Sequence, residues 1–558
     1  MAEDIIERTP LPEGYYLHNF LKLLDFVNER YDDMLIENEK QFYKTFTKLS
    51  EGAQRLYVRL VTRKGPYFRL DKVAYAEIPE LDQAVDELEL AGFFAVNPRL
   101  ALPLALHTIT KPELVDFLKD VPELSEFVNL SASKQQLVAE IASLEEAQVW
   151  ALLEKRFTFL LPLYQETVEI YRLLFFGNLE QELSEFILED IGVLRYEPYE
   201  IRDEDRFFQQ RQVVEDLHAF TYANAELWDG LQSNHLEKVM AIGNWMLEQD
   251  PHDKLKGKYR RSFCHIGRFL EKFKLWEEAL GFYQHSGLHP ARERTVRVWE
   301  KTGREEASLV LLAEILENPF NEDEAEFAAM FAEKVKKKVG QPYQKQKRET
   351  FPTVSKSLEK EEGLNVEAIA LNSYQQDGYE GFYAENLLWG GLFGLLFWDI
   401  IFMPIPNVFF NPFQRGPKDL FSENFREKRT EQIKKRLVEV ASNNQLSVTI
   451  RQCYEEKFNT ANYFVSWKRA DLEQFVKIVE WVPREHLVAI LSRMADNLRE
   501  FRSGFPDLML FGKEKGDYLL AEVKGPGDQL RPNQKRWFRF FQEIGIPYNV
   551  TKVSWADG

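Results

Sequence analysis

The chain has 558 residues, of which 44% are hydrophobic and 29% are charged. The length corresponds to about three or four domains. The composition is that of a folded protein and excludes a disordered or collagen-like chain. Its 71 Lys and Arg residues against 90 Asp and Glu residues give a net charge of −19. Taken alone this charge argues against a nucleic-acid binder, so binding to DNA requires that the cations be clustered.

Residues 1–134 are predicted to form an N-terminal helical DNA-binding module of the SAP-like or winged-helix kind. Helical periodicity covers residues 15–48 and 81–94, and Thr110 with Glu113 forms a capping box at the start of a further helix. Between them lies a basic run that ends at Lys72 and contains one acid, Asp71. The run is either a solvated face or a contact to the DNA backbone. The candidate DNA contacts are Arg55, Arg59, Arg63, Lys64 and Arg69.

Residues 135–348 are predicted to be helical throughout and to form a tetratricopeptide-like array. The pattern Ala279, Leu280 and Tyr283 is typical of the small and large positions in such helix pairs. A second basic cluster lies here, and it is either a solvated helix face or a phosphate contact. Its members are Lys254, Lys256, Lys258, Arg260 and Arg261. A third run of lysines, at 336–338, indicates a flexible linker.

Residues 349–371 are polar and are predicted to be a linker, so the last domain covers residues 372–558. Its apolar stretch at 387–403 has nearly the length of a membrane helix. Asp399 interrupts this stretch and Pro404 follows it, which favours a buried core helix.

The C-terminal 60 residues contain a predicted hairpin that carries acidic and basic side chains. Asp507 begins the first strand, and the second strand directs Glu522 and Lys524 to one face. Asp507 is expected opposite Glu522. Carboxylate oxygens bind Mg²⁺ or Mn²⁺, the backbone carbonyl of Val523 can add another oxygen ligand, and a lysine stabilises charge on a reacting phosphate. Pro-Asp followed by Glu-x-Lys is the signature of the PD-(D/E)xK nuclease fold.

The run EVKGPGDQL, followed by Gln534 and Trp537, resembles the VRR-NUC domain. Together with the segments from Arg502 to Leu508, AENLLW and LYVRLVTRKG, it makes the chain similar to the Fanconi-associated nuclease family. The resemblance implies a mainly α multidomain protein with a DNA-binding helical module, a tetratricopeptide-like array and a C-terminal α/β nuclease domain. It also implies metal-dependent 5′-flap endonuclease and 5′-to-3′ exonuclease activity in interstrand-crosslink repair, with one or two Mg²⁺ or Mn²⁺ ions.

The same resemblance assigns roles to individual residues. Asp507 and Glu522 match the metal-binding acids, Lys524 the catalytic lysine, and Gln534 a motif glutamine at the site. An upstream helical glutamate of the family matches Glu385.

The implied partner is branched or 5′-flap double-stranded DNA, and the array leaves room for a repair protein. No Cys/His set of the ubiquitin-binding zinc finger of animal members is present, so the chain is similar to the shorter bacterial form. No membrane role is expected; the location would be cytoplasmic and nucleoid-associated in a bacterium, or nuclear in a eukaryote. The alternatives are a non-catalytic protein that binds branched DNA and a tetratricopeptide-type scaffold.

Overall fold

The computed structural model describes residues 13–63, 65–121, 128–181, 194–345 and 349–556. The chain divides into two compact units, the first made of residues 1–193 and 208–218 and the second of residues 194–207 and 219–558. Within the described part of the chain, no helix has the length and hydropathy needed to cross a membrane.

The first unit combines helices with a small antiparallel sheet in the order β1-β3-β2. Its strands are β1 (Phe68–Arg69), β2 (Phe94–Val96) and β3 (Phe159–Pro162). Its helices are α1 (Tyr15–Tyr31), α2 (Glu37–Phe46), α3 (Glu51–Val61), α4 (Leu81–Leu90), α5 (Leu102–His107), α6 (Lys111–Lys119), α7 (Lys134–Ala142), α8 (Glu146–Leu153) and α9 (Gln165–Phe176), with short 3₁₀ turns at Asp32–Met34 and Leu70–Lys72.

Strand β3 corrects the prediction that residues 135–348 are helical throughout. It pairs with β1 and β2, which lie far earlier in the chain, so residues 135–193 belong to the first unit and not to an array. The apolar run Phe159–Pro162 fits a strand or a buried helix equally well by periodicity, and the pairing decides for the strand.

Helix α10 (Arg211–Gln232) begins in the first unit and continues into the second, and the helical array follows it in sequence. A 3₁₀ turn at Asp203–Asp205 precedes α10. The array helices are α11 (Leu236–Glu248), α12 (Asp253–Lys272), α13 (Trp276–Ser286), α14 (Ala291–Lys301), α15 (Glu305–Glu317) and α16 (Glu322–Lys338). Because α16 extends to Lys338, the lysines at 336–338 lie on a helix and not in a linker.

Small residues on one helix leave space in which aromatic residues of the next helix pack, as the pattern around Tyr283 predicts. A Cβ atom added to Gly267 of α12 would lie 2.6 Å from Tyr283 of α13. The Tyr283 hydroxyl donates a hydrogen bond of 2.6 Å to the buried carboxylate of Glu271, which also pairs with Arg294 of α14 at 2.6 Å. Close packing and one buried ion pair therefore join three consecutive helices.

The C-terminal part of the second unit is built on a five-stranded sheet in the order β4-β8-β7-β6-β5. The strands are β4 (Thr353–Leu358), β5 (Glu380–Tyr383), β6 (Leu508–Phe511), β7 (Tyr518–Lys524) and β8 (Tyr548–Trp555). The helices are α17 (Val366–Gln376), α18 (Leu387–Leu396), α19 (Trp398–Ile401), α20 (Asn424–Lys428), α21 (Thr430–Ser442), α22 (Leu446–Lys457), α23 (Leu472–Trp481), α24 (Arg484–Asp496), α25 (Leu498–Phe501) and α26 (Pro532–Ile544).

The segment 349–371 is not a linker. Strand β4 pairs in parallel with β8 over six residue pairs, and α17 begins at Val366 and packs on the sheet. The domain that carries the predicted site therefore begins about 20 residues before residue 372.

Both faces of the central strands are covered, which explains why β6 is a continuous apolar run. Leu508 and Leu510 pack with Tyr374 of α17 on one face, whereas Met509 and Phe511 join the larger core that contains α18, α24 and α26. The apolar stretch at 387–403 forms α18 and α19 in that core, so the prediction of a buried helix is confirmed.

Ion pairs connect helix α16 of the array to the sheet domain. Glu322 pairs with Arg493 of α24 at 2.9 Å, and Asp323 pairs with Arg536 of α26. Arg539, one turn further along α26, pairs with Glu326 of α16 and, at 2.8 Å, with Glu349. The array therefore fixes the helix that contributes Gln534 to the site described next.

Candidate active site

The hairpin of β6 and β7 brings the predicted acidic residues together. Leu508 pairs with Ala521, which puts Asp507 beside Glu522 at the end of the sheet. One carboxylate oxygen of Asp507 accepts a hydrogen bond of 2.9 Å from the backbone N–H of Val523. The predicted hairpin and its register are confirmed.

Glu522 is the most enclosed group of the site, with no exposed surface. Its Oε1 accepts hydrogen bonds from the Lys524 ammonium at 2.7 Å and from the Gln534 side-chain amide at 2.5 Å. The Gln534 carbonyl in turn accepts a hydrogen bond of 2.9 Å from the backbone of Arg531 at the start of α26. The Gln534 side chain is thus held at both ends in a position to orient the Glu522 carboxylate.

Glu385 lies at the same cavity, although it is not on a helix as the resemblance implies. It falls between the end of β5 and the start of α18, and β5 pairs with β6 so that Tyr383 lies opposite Leu508. The Tyr383 hydroxyl donates a hydrogen bond to the Glu385 carboxylate. The short loop after β5 therefore brings Glu385 to the cavity beside Asp507.

The cavity has a volume of about 380 Å³ and is strongly acidic. Its lining residues are Glu367, Glu385, Asp507, Glu522, Val523, Lys524, Asp528, Gln529, Arg531 and Gln534. Five carboxylates face two cations, so a phosphate enters only if further positive charge enters with it.

Glu367, Asp528 and Arg531 were not predicted as site residues. Glu367 lies in the first turn of α17, inside the segment interpreted as a linker. The signal was present: Asn365 is an N-cap whose side chain accepts a hydrogen bond from Ala368, and Ile369 and Ala370 follow at helical spacing.

The residues that line the acidic cavity are suited to bind a divalent cation. Glu522 Oε2 is buried and has no hydrogen-bond partner among the described residues, which is costly for a carboxylate unless a cation binds there. Within the described ranges no group of three or more His, Cys, Asp or Glu side chains is arranged to hold a metal ion by itself. Asp507, Glu522 and the Val523 carbonyl would therefore hold the cation, with water or phosphate oxygens in the other positions, as is usual for Mg²⁺.

Burial also changes the acidity of the pair. Burial raises the pKa of Glu522 to about 8, and the neighbouring Asp507 carboxylate adds to this shift. Burial raises the pKa of Asp507 to about 6, opposed by the hydrogen bond from Val523. Without a cation, the two carboxyls therefore keep protons at pH values where ordinary carboxyls have lost them.

Cation affinity is accordingly expected to rise with pH. The cation binds the deprotonated carboxylates and releases their protons, so Mn²⁺ affinity should increase roughly 10- to 100-fold from pH 6 to pH 8 and level off above. Titration calorimetry in buffers of different ionisation enthalpy measures the affinity and the released protons. Glu522→Gln should remove the rise in Mn²⁺ affinity at the upper end of this pH range. In the wild-type chain, a Mn²⁺ affinity that is equal at pH 6 and pH 8 would contradict the assignment of these carboxylates as the cation site.

The cations predicted to contact DNA in the first unit are largely engaged with acids. Arg69 is buried and pairs with Asp71 and Glu113 at 2.5 and 2.6 Å. Arg55 pairs with Glu13 and Glu51, and Arg59 with Glu77. Arg63 is exposed and donates to the Tyr75 hydroxyl, whereas Lys64 lies outside the described residues.

The basic cluster of the array lies on α12, and several of its side chains are already engaged by other groups of the chain. Lys256 pairs with Asp253, and Arg260 donates to the backbone carbonyls of Ser286 and Gly287. Lys254 donates to the Phe207 carbonyl and to Asn407.

Lys258 and Arg261 lie close to Lys418. Lys418 was not predicted as a member of this cluster, because it lies more than 150 residues after Lys258 and Arg261 in the sequence. Burial by surrounding atoms and the charges of Lys258 and Lys254 lower the pKa of Lys418 to about 7. We call Lys258, Arg261 and Lys418 the basic cleft.

Strand order, hairpin and acidic cavity define the class: a divalent-metal-dependent nuclease of the PD-(D/E)xK type. Residues 441–555 match the model of the VRR-NUC domain, and residues 14–95 match that of the FAN1 HTH domain.

Relatives extend the match over the whole chain. The chain is 32% identical to the Fanconi-associated nuclease 1 homolog of Pseudomonas aeruginosa, over 98% of this chain and 97% of that protein. It is 28% identical to the Arabidopsis thaliana homolog, over 99% of this chain and 68% of that protein. A crystal structure of paFAN1 bound to 5′ flap DNA with a 2-nucleotide flap and a gap superimposes with a TM-score of 0.88 and 31% identity, over 98% of this chain and 99% of that chain.

The chain belongs to the Fanconi-associated nuclease family. The predicted fold class is confirmed: the predicted N-terminal helical or winged-helix module matches a helix-turn-helix domain, and the C-terminal domain matches VRR-NUC.

Proposed function

We propose that the chain is a structure-specific DNA nuclease that hydrolyses phosphodiesters near 5′ flaps and other branches, as endonuclease and as 5′-to-3′ exonuclease. The observation that carries the proposal is the buried Glu522 carboxylate at the lining of the acidic cavity: one oxygen contacts Lys524, and the other has no hydrogen-bond partner among the described residues. A scaffold without catalysis has no need of so costly an arrangement. The similarity to paFAN1 bound to 5′ flap DNA supports the substrate class.

The cavity supports Mg²⁺ or Mn²⁺ as the cofactor, because its donors are hard carboxylate and carbonyl oxygens. Five carboxylates leave room for one ion or two. When bound, such a cation would polarise a phosphate oxygen and lower the pKa of a bound water. The chain itself contributes the Lys524 ammonium to orient the water and Gln534 to hold Glu522.

DNA contacts are proposed at Arg63 and Lys64 of the first unit and on α12 of the array, where the basic cleft adds Lys418. Arg55, Arg59 and Arg69 are paired with acids and Arg69 is buried, so in this proposal they stabilise the first unit and do not contact phosphate directly. The biological setting proposed is interstrand-crosslink repair, near the nucleoid of a bacterium or in the nucleus of a eukaryote. A repair-protein partner on the array is the second candidate role.

The test is cleavage of end-labelled DNA by the full chain with Mn²⁺, with Mg²⁺ and with EDTA. We expect a 5′ flap to be cut at least about 10-fold faster than plain duplex or a 3′ flap of equal length, and EDTA to abolish cleavage. A Lys524→Ala preparation controls for contaminating nucleases. Equal rates on all three DNA molecules would contradict the structure-specific activity, and binding without cleavage would favour the scaffold alternative.

A further inference from the structure

A second cavity lies near the acidic one, and the contact between Tyr383 and Glu385 links their linings. Its volume is about 360 Å³. The Tyr383 hydroxyl bonds to Glu385 in the acidic cavity, while Tyr383 also lines the second cavity. A group bound in the second cavity is therefore next to the metal-binding carboxylates.

The second cavity is apolar on its inner side. Leu387, Leu388 and Phe475 line it together with Tyr383. Tyr383 and Leu387 remain 45% and 36% exposed. Gly391 belongs to the floor, where a Cβ atom would lie 2.6 Å from the Phe475 ring, so glycine is required for the ring to pack there. The result is an aromatic and aliphatic surface open to solvent at the edge of a charged site.

The rim of the same cavity is polar and unengaged. Within the described part of the chain, no hydrogen bond or ion pair involves the side chains of Ser466, Arg469 or Gln474. Asp471, also at the rim, is occupied as the N-cap of α23, where it accepts from Glu473. The available groups are thus a hydroxyl, a guanidinium and an amide, which match the donor and acceptor edge of a nucleobase and a neighbouring phosphate.

We propose that this cavity, the side pocket, binds the unstacked nucleobase of a nucleotide adjacent to the scissile phosphate. The proposal deepens the proposed function and rests on it, since a DNA strand cut in the acidic cavity places a nucleobase within one nucleotide of it. The apolar surface around Tyr383 and Leu387 takes the base, and Arg469 takes the backbone phosphate.

The side pocket gives a physical reason for selectivity at junctions. A base inside a duplex must be unpaired and unstacked before it enters, whereas a base at a flap junction is already largely free to do so. The pocket therefore favours cleavage where the strand is unpaired, independently of sequence.

The test removes single bases from a 5′-flap substrate after the cleavage position has been mapped. In the wild-type chain, an abasic site at one position adjacent to the cut should lower kcat/KM about 10-fold, as expected for the loss of one stacked base. Leu387→Ala should cause a similar loss on the intact flap and should make that abasic site nearly neutral. Val438→Ala, an exposed apolar residue on α21 away from the cavity, is the matched control and should keep the full abasic effect.

Binding provides a second readout without cleavage. With Ca²⁺ in place of Mn²⁺, fluorescence of 2-aminopurine at the same position should differ between the wild-type chain and Leu387→Ala, and be unchanged in Val438→Ala. Should Leu387→Ala fail to fold, Leu387→Thr replaces it, since that side chain is partly exposed and the change keeps more of its volume while making the surface polar. Abasic effects that are identical in the wild-type chain and the pocket variants overturn the side pocket while cleavage stays intact; loss of metal-dependent cleavage in the wild-type chain would instead overturn the proposed function.

Discussion

Replacing Lys524 with alanine is expected to lower the cleavage rate roughly 100- to 1,000-fold while leaving the affinity for flap DNA within about threefold. The ammonium lies 2.7 Å from Glu522 Oε1 and lines the acidic cavity, so it can act on charge that would develop on a phosphate reacting there. DNA affinity, by contrast, comes from many phosphate contacts spread over the protein. Asp507→Asn and Glu522→Gln should cause at least as large a loss, because each removes a carboxylate on which the cation depends.

The measurement is single-turnover cleavage with enzyme in excess and saturating Mn²⁺, paired with anisotropy of labelled DNA in Ca²⁺. Asp399→Asn is the matched control: Asp399 is exposed, pairs with Arg436 at 2.9 Å and does not line the acidic cavity. A Lys524→Ala chain that cuts at the wild-type rate would show that another group stabilises the transition state.

The catalytic hairpin was predictable because its signals are local. Strand alternation places Glu522 and Lys524 on one face, and the turn from Gly512 to Gly516 fixes the register with Asp507. Gln534 and Glu385 were identified from the family resemblance alone. No local pattern shows that the Gln534 amide reaches Glu522 or that Tyr383 holds Glu385.

The missed features depend on pairing between distant parts of the chain. Strand β4 is an edge strand whose residues are mostly exposed, so it lacks the alternation of polar and apolar residues that marks a strand. Because the whole segment was interpreted as a linker, the helix that follows β4 and carries Glu367 was missed as well. Arg69 was interpreted as a DNA contact because its partner Glu113 lies 44 residues away in sequence. The same holds for Lys418, whose position beside α12 exists only in the folded chain.

Reversing the charge of the basic cleft, in a Lys258→Glu, Arg261→Glu, Lys418→Glu variant, is expected to weaken flap-DNA binding about 100-fold. Three cations that come from two distant segments raise the local potential where the chain as a whole is negative. Burial lowers the pKa of Lys418 to about 7, and repulsion from the close charges of Lys258 and Lys254 adds to this shift. A DNA phosphate relieves that repulsion.

Salt dependence distinguishes a direct contact from a general loss of positive charge. Each phosphate contact releases counterions, so losing three contacts should reduce the slope of log affinity against log salt by roughly 2.7. The matched control reverses Lys336, Lys337 and Lys338 on α16, which changes the net charge by the same amount. Lys336 and Lys338 are already paired with Glu333 and Glu300, so this variant should weaken binding less than about fivefold.

The two variants decide what the array contributes. If the basic cleft variant loses affinity and slope while the α16 variant does not, the array holds one arm of the DNA through α12 and Lys418. The α16 ion pairs to Arg493 and Arg536 then connect that DNA contact to the helix that carries Gln534. Equal losses in the two variants would mean that the cations act only through the overall field, and the array would then be better explained as a surface for a protein partner.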